Sequence, residues 1–210
     1  MTTIVVVKKN GKACIAADTL TTWGSTLQSS EYIANKSKII QVGDTYIGVP
    51  GSSTHQLVLG SYFAQPKLKF SFKNRHDIFE TWRALHEAMK DRYHLNPHED
   101  KDAPYETTQM SVLLANPHGI FGVYSLRSVD EFSKFWAFGS GCEYALGALY
   151  CNYDLLSSAE EIAVKAIEAT AAFDDGTALP VTVKTIDLIE SKESQITTQT
   201  QRRGRSQRGR

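Results

Sequence analysis

The sequence predicts an α+β fold in which antiparallel sheets pack together beneath outer pairs of helices. Three observations carry that prediction. Extended and helical stretches alternate in blocks, running strands, helices, strands, helices, strands. Short polar turns such as Asn10-Gly11 join neighbouring extended runs, which makes those neighbours antiparallel. The opening hairpin is apolar on both faces, with Ile4, Val5, Val6 and Val7 against Ala13, Cys14, Ile15 and Ala16. A strand pair of that kind needs one layer above it and another below.

Taken in order, "TIVVVKK" and "KACIAAD" flank Asn10-Gly11, where both residues tolerate the positive φ of a type I′ turn. An ideal two-residue turn pairs Lys9 with Lys12, hence Thr3 with Asp18 and Thr2 with Thr19. "KIIQV" and "TYIGV" read as further strands. Residues 52–63 and 76–93 read as helices, the second with Phe79, Trp82, Leu85, Met89 and Tyr93 at mostly helical spacing. "QMSVLLANPHGIFGVYSL" forms a second hairpin around residues 116–119, and "KFWAFG" a strand entering Gly139-Ser140-Gly141. A second helix pair follows over 142–150 and 157–173, with Ser157 and Glu160 in capping-box spacing, and "PVTVKTIDLI" is the last strand. The polar stretch "HLNPHEDKDAPYETT" is the one linker-like segment of the body, and no internal repeat is visible.

A chain of 210 residues, 41% apolar and 22% charged, suits one compact domain over 1–190 that buries roughly 70% of its unfolded surface. Apolar runs are far shorter than the ~20 residues of a membrane span, and Lys8-Lys9 come too early for a secretory leader, so a cytoplasmic protein is expected. Cys14, Cys142 and Cys151 are odd in number and lack CxxC spacing, which fits a reducing compartment and neither a disulfide framework nor a zinc site. His94, His98 and Glu99 are the nearest thing to a metal cluster, but Pro97 breaks helical spacing and no fourth ligand follows; no metal is expected. A formal charge of zero conceals an asymmetry. Beyond residue 190, Lys192, Arg202, Arg203, Arg205, Arg208 and Arg210 oppose Glu193 alone, a net +5 balanced by −5 in the body. That tail, 191–210, has too little apolar surface to offset its ordering entropy and is expected to be disordered. It reads as a solvated basic tail, or as one that touches nucleic acid or an acidic partner.

The chemistry concentrates at the beginning of the chain. A small residue at position 2 normally lets the initiator Met leave, and Thr2 would then carry a hydroxyl and a free α-amine on one residue. An amine of pKa about 7.7 to 8.0 can take the hydroxyl proton near neutral pH, so nucleophile and base come together. Asp18 lies diagonal to Thr2 across the hairpin, although strict alternation aims its side chain at the opposite face. A twist or bulge is needed to bring the two together.

"TTIVVVKKNGKACIAADTLTTWGSTLQ" resembles the mature N-terminus of the bacterial HslV protease subunit and, more distantly, proteasome β subunits, with Thr2, Thr3, Asn10-Gly11, Asp18 and Trp23-Gly24-Ser25-Thr26 in register. "KSKIIQV", "IGVPGSS", "FGSGCEYALGALY" and "AFDDGTALPVTVKTI" continue the resemblance over nearly residues 2–190. It implies the N-terminal nucleophile hydrolase fold, a four-layer αββα sandwich of two antiparallel sheets flanked by helix pairs. Thr2 is the implied nucleophile, Lys38 the cation favouring a neutral amine and an alkoxide, and Asp18 its partner. Gly51 is the implied oxyanion donor, with Ser140 and Asp174 supporting the amine. Thr22, Lys36, Val49 and Ser53 are the implied substrate contacts, with Lys36 on the Lys38 strand favouring acidic or polar residues before the scissile bond. The family pattern expects Ser-Gly-Gly after Asp174, whereas Thr177-Ala178-Leu179 stand here, leaving Thr177 as the stand-in for the serine. Pro50 and Ser52 replace residues that are usually Ala and Gly. The implied activity is a threonine endopeptidase of a self-compartmentalised protease, without cofactor, acting on polypeptides in double rings of six or seven subunits fed by an ATP-driven unfoldase. The alternative is a ring subunit that has kept the fold and serves as a scaffold or binding chamber.

Overall fold

The computed structural model describes residues 2–96 and 103–189. The expected turn at Asn10 and Gly11 is present, with φ of 50° and 74°, joining β1 (Thr3–Lys9) to β2 (Lys12–Ala17). Their register runs from Lys9↔Lys12 to Ile4↔Ala17, as the turn length dictates. A small hairpin of β3 (Thr21–Trp23) and β4 (Thr26–Gln28) follows, then β5 (Ile39–Val42) and β6 (Thr45–Gly48). Two helices come next, α1 (Ser53–Phe63) and α2 (Arg75–Tyr93), capped by the side chains of Ser52 and Asn74. After them run β7 (Val112–Asn116), β8 (Gly119–Val123), β9 (Val129–Phe132) and β10 (Phe135–Gly139), then α3 (Cys142–Tyr153), α4 (Ala159–Ala171) and β11 (Thr182–Asp187).

The strands form two main antiparallel sheets, β10-β1-β2-β11 and β5-β6-β7-β8-β9. The opening hairpin supplies both sides of the first. Ile4, Val6, Ala13, Ile15 and Ala17 pack with Leu113, Ala115 and Ile120 of the second sheet, while Val5, Val7, Cys14 and Ala16 pack with Leu149, Ile162, Ala166 and Ile167 of α3 and α4. On the far side of the second sheet, Ile47, Leu114 and Phe121 meet Leu59, Ile78, Trp82 and Leu85 of α1 and α2. The architecture is thus the expected αββα sandwich. Between the two sheets, a Cβ on Gly48 would lie 2.6 Å from Ile4 Cγ2, so glycine lets them pack here.

Several sequence expectations shift in detail. The N-cap of α4 is Ser158, not Ser157; its hydroxyl accepts the Glu161 N–H, because Ser158 and Glu161 offer the same spacing one residue later. Lys36 and Lys38 precede β5 rather than lying on it, since the ladder to β6 begins at Ile39↔Gly48. The β3–β4 hairpin and β9 were not expected as strands; they are three or four residues long, too short for a periodic signal. Residues 97–102, which include His98 and Glu99, and the basic tail 191–210 lie outside the described residues. No described helix is long and apolar enough to cross a membrane.

Burial on the helix-facing side of β2 pushes the Cys14 thiol up to about 12, whereas Cys151 is exposed. Because the thiolate is the reactive species, iodoacetamide at pH 8 is expected to alkylate Cys151 and leave Cys14 unmodified until the protein is unfolded. Peptide mass mapping checks this, and modification of Cys14 in folded protein would contradict the assigned core.

Candidate active site

Thr2 sits at the head of β1, the inner strand between β10 and β2, and is almost fully buried. The turn after β10 wraps around it. The Ser140 N–H donates to the Thr2 carbonyl at 2.9 Å, and the Thr2 N–H donates to Ser140 Oγ at 3.4 Å. Close contacts on both sides of Ser140 explain both glycines of Gly139-Ser140-Gly141. Gly139 has φ of 113° and a Cβ there would meet the Thr2 carbonyl oxygen at 1.8 Å; one on Gly141 would meet Thr170 Cγ2 at 2.2 Å. The segment is both a tight strand-to-helix turn and the floor under Thr2.

Asp18 resolves the conflict over its direction without a bulge. The last ladder residue of β2 is Ala17; Asp18 keeps one further hairpin bond, its N–H donating to the Thr3 carbonyl at 3.2 Å, while its carboxylate accepts the Leu20 N–H two residues on, at 2.9 Å. That local bond, of the kind Asp makes in turns, holds the carboxylate at the end of the hairpin. The same carboxylate accepts the Thr3 N–H at 2.9 Å and the Ala178 N–H at 3.4 Å, and it takes both Lys38 Nζ contacts at 2.7 and 2.8 Å. Asp18 is fully buried and Lys38 nearly so. Burial pushes the Lys38 pKa below that of an ordinary lysine, and the Asp18 carboxylate works against that fall by favouring the ammonium.

A second set of bonds runs behind Thr2. The Gly141 N–H donates to Thr3 Oγ1 at 3.2 Å, and Thr3 Oγ1 lies 2.6 Å from Thr177 Oγ1. The Thr177 hydroxyl donates to Asp174 Oδ2 at 2.5 Å, so the proton between the two threonines comes from Thr3. Asp174 Oδ2 also accepts from Ser140 Oγ at 3.0 Å. Thr177 therefore makes the hydroxyl contact to Asp174 that a serine would make. The role of Thr3 was not foreseen from the sequence, because a Thr inside an apolar strand reads simply as a β-former.

Thr2 and Lys38 open onto a cleft of about 420 Å³. Of the expected substrate contacts, Thr22, Lys36, Val49 and Ser53 all line it, as does Gly51 with φ of 90° just before the α1 cap. Asp18, Ser140 and Asp174 stand behind the wall, linked to it through Lys38 and Thr2. The cleft also takes Gln28, Ile33, Asn35 and Gln56, which sequence reasoning did not single out. Three of these four come from the aperiodic segment between β3 and β5, where only the folded chain brings them together. Among the described residues no group of three or more His, Cys, Asp or Glu is placed to hold a metal.

A sandwich of two antiparallel sheets between helix pairs, with its first strand starting in a cleft beside a buried Lys–Asp pair, is the N-terminal nucleophile hydrolase fold. The chain belongs to the proteasome subunit family, whose family model matches residues 1–186. A proteasome subunit beta from Nanoarchaeum equitans (strain Kin4-M) is 28% identical over 187 residues, covering 83% of this chain and 87% of that protein. BPH of Thiobacillus denitrificans is 44% identical and matches 90% of this chain and all of its own with a TM-score of 0.85; the same protein has been solved in complex with epoxomicin, at a TM-score of 0.84. Eukaryotic HslV from Trypanosoma brucei shares the fold at 19% identity, with a TM-score of 0.60 over 88% of this chain and 99% of its own.

Removing Asp18 orphans three backbone N–H groups and leaves the Lys38 ammonium buried without its carboxylate. Removing Lys38 leaves a carboxylate that still holds those donors. Asp18→Ala is therefore expected to lower unfolding free energy by about 3–5 kcal/mol and Lys38→Met by about 1–3 kcal/mol. Denaturant melts of both variants check the order, and a larger loss for Lys38→Met would contradict it.

Proposed function

We propose that the chain is a threonine-type endopeptidase subunit that cleaves peptide bonds through an ester at Thr2. The observation that carries this reading is the meeting of Thr2 and Lys38 in one cleft, with the Lys38 ammonium tied to the carboxylate that also holds the Thr3 N–H. Removal of Met1 gives Thr2 a free amine. That amine takes the proton of the Thr2 hydroxyl as its oxygen attacks the peptide carbonyl carbon, and the positive charge of Lys38 lowers the cost of the alkoxide and keeps the amine neutral. The resulting oxyanion lies against the Gly51 N–H. The C–N bond then breaks, the amine's proton passes to the departing nitrogen, and the acyl half stays as an ester. Water, giving its proton to the same amine, attacks the ester, and the Thr2 oxygen recovers a proton as the acid leaves. Ser140, supported by Asp174, positions the Thr2 nitrogen throughout.

The same reading makes the body, 1–190, one catalytic domain working in the cytoplasm within stacked rings of six or seven subunits, with an ATP-dependent unfoldase as feeder. Large apolar side chains outside the cleft lining and left exposed on one subunit support assembly, among them Tyr32 at 82% and Leu155 at 80%. Epoxomicin binding by a relative 44% identical supports a ligand-accepting cleft in this chain too.

Protein whose mass shows loss of Met1 is expected to hydrolyse unstructured peptides and to gain one equivalent of a Thr-directed electrophile per chain. Thr2→Ala, and wild type retaining Met1, are expected to lose at least 10³-fold in rate and all labelling, since nucleophile or base is then missing. Trimmed wild type that neither hydrolyses nor labels would overturn the peptidase and favour a scaffold subunit.

A further inference from the structure

The walls of the cleft carry a one-sided charge. Among the described residues, Lys36 and Lys38 are its ionisable side chains and no carboxylate lines it. The two lysines differ in state. Lys38 is neutralised by Asp18 from behind, at 2.7 and 2.8 Å, and is nearly buried. Lys36 is exposed, and no ion pair among the described residues engages it. Around it the wall is mostly made of amide and hydroxyl side chains, including Gln28, Asn35, Thr22 and Ser53. A cleft of this composition offers a cation and hydrogen-bond donors beside apolar contacts from Leu20, Trp23, Ile33 and Val49.

Resting on the reading of Thr2 as nucleophile, we infer that Lys36 selects peptides whose residue on the acyl side of the scissile bond is acidic, Glu or Asp. An acidic side chain seated beside Lys36 meets a wall charge that no ion pair among the described residues engages, whereas a Lys or Arg side chain meets a like charge. A neutral Gln fills the same volume and makes hydrogen bonds but gains no attraction. The comparison of Glu with Gln therefore isolates charge from shape. Because Lys36 is exposed, the preference is moderate and weakens with salt.

The test uses trimmed full-length protein and a peptide series identical except for Glu, Gln or Lys before the cleaved bond. Wild type is expected to show kcat/KM for Glu about three- to tenfold above Gln at low salt, with Lys below both. Lys36→Gln should bring the Glu-to-Gln ratio near one, and Lys36→Glu should place Lys above Glu. Raising the salt to about 0.5 M should shrink the wild-type ratio toward one. A Glu-to-Gln ratio unchanged in Lys36→Gln overturns the inference, as does a wild type that prefers Gln. Competition binding of the same peptides to Thr2→Ala reads the preference without turnover. Preferential Glu binding there, lost in Thr2→Ala/Lys36→Gln, upholds the Lys36 site even if wild type cleaves nothing, in which case only the nucleophile assignment fails. Equal binding of Glu and Gln overturns the Lys36 site even if cleavage is efficient.

Discussion

The buried pair of Lys38 and Asp18 is the constraint on which the rest of the site depends. Lys38 comes from the approach to the second sheet and Asp18 from the end of β2 in the first, so their contact fastens the two layers together at the end where the chain begins. Two desolvated charges are costly, and the cost is offset only when every remaining lone pair finds a donor. Asp18 meets that condition with three backbone N–H groups, one of them from Thr3. The ion pair thereby fixes the backbone one residue from Thr2 as well as the cation beside it.

Around this pair the fold supplies rigidity rather than additional chemistry. β1 is an inner strand, apolar residues face both ways from it, and its head is clasped by a turn that has room only for glycine at 139 and 141. The chain of hydroxyls from Thr3 through Thr177 to Asp174 and Ser140 ties the same turn to the end of α4. Strands and buried polar bonds of this kind give the rigid placement that the proposed acyl transfer requires.

Much of this was legible in the sequence, and the exceptions have physical causes. The first hairpin's register followed from a two-residue turn, and the layer order followed from strands apolar on both faces. The direction of Asp18 did not follow, because Asp18 stands at the very end of the hairpin, where its carboxylate takes a local turn bond that strand alternation does not describe. Thr2 and Lys38 entered as a site through family resemblance, since a threonine in a β-rich segment and a lysine before a strand are ordinary on their own. Thr177 illustrates the reverse case: the motif departs from the family pattern, yet the replacement hydroxyl still reaches Asp174 at 2.5 Å. Gln28, Ile33, Asn35 and Gln56 could be gathered only by the fold, as no spacing in the chain relates them.

The central claim is that the oxygen of Thr2 attacks with the Lys38 ammonium at its side. An experimental structure of trimmed protein after reaction with a peptidic electrophile tests it most directly. The account predicts a covalent bond to Thr2 Oγ1, Lys38 Nζ within about 3.2 Å of that oxygen, and Asp18 still bidentate on Lys38. An adduct on any other side chain, or a Lys38 ammonium separated from Thr2 Oγ1 by more than a water molecule, would contradict it.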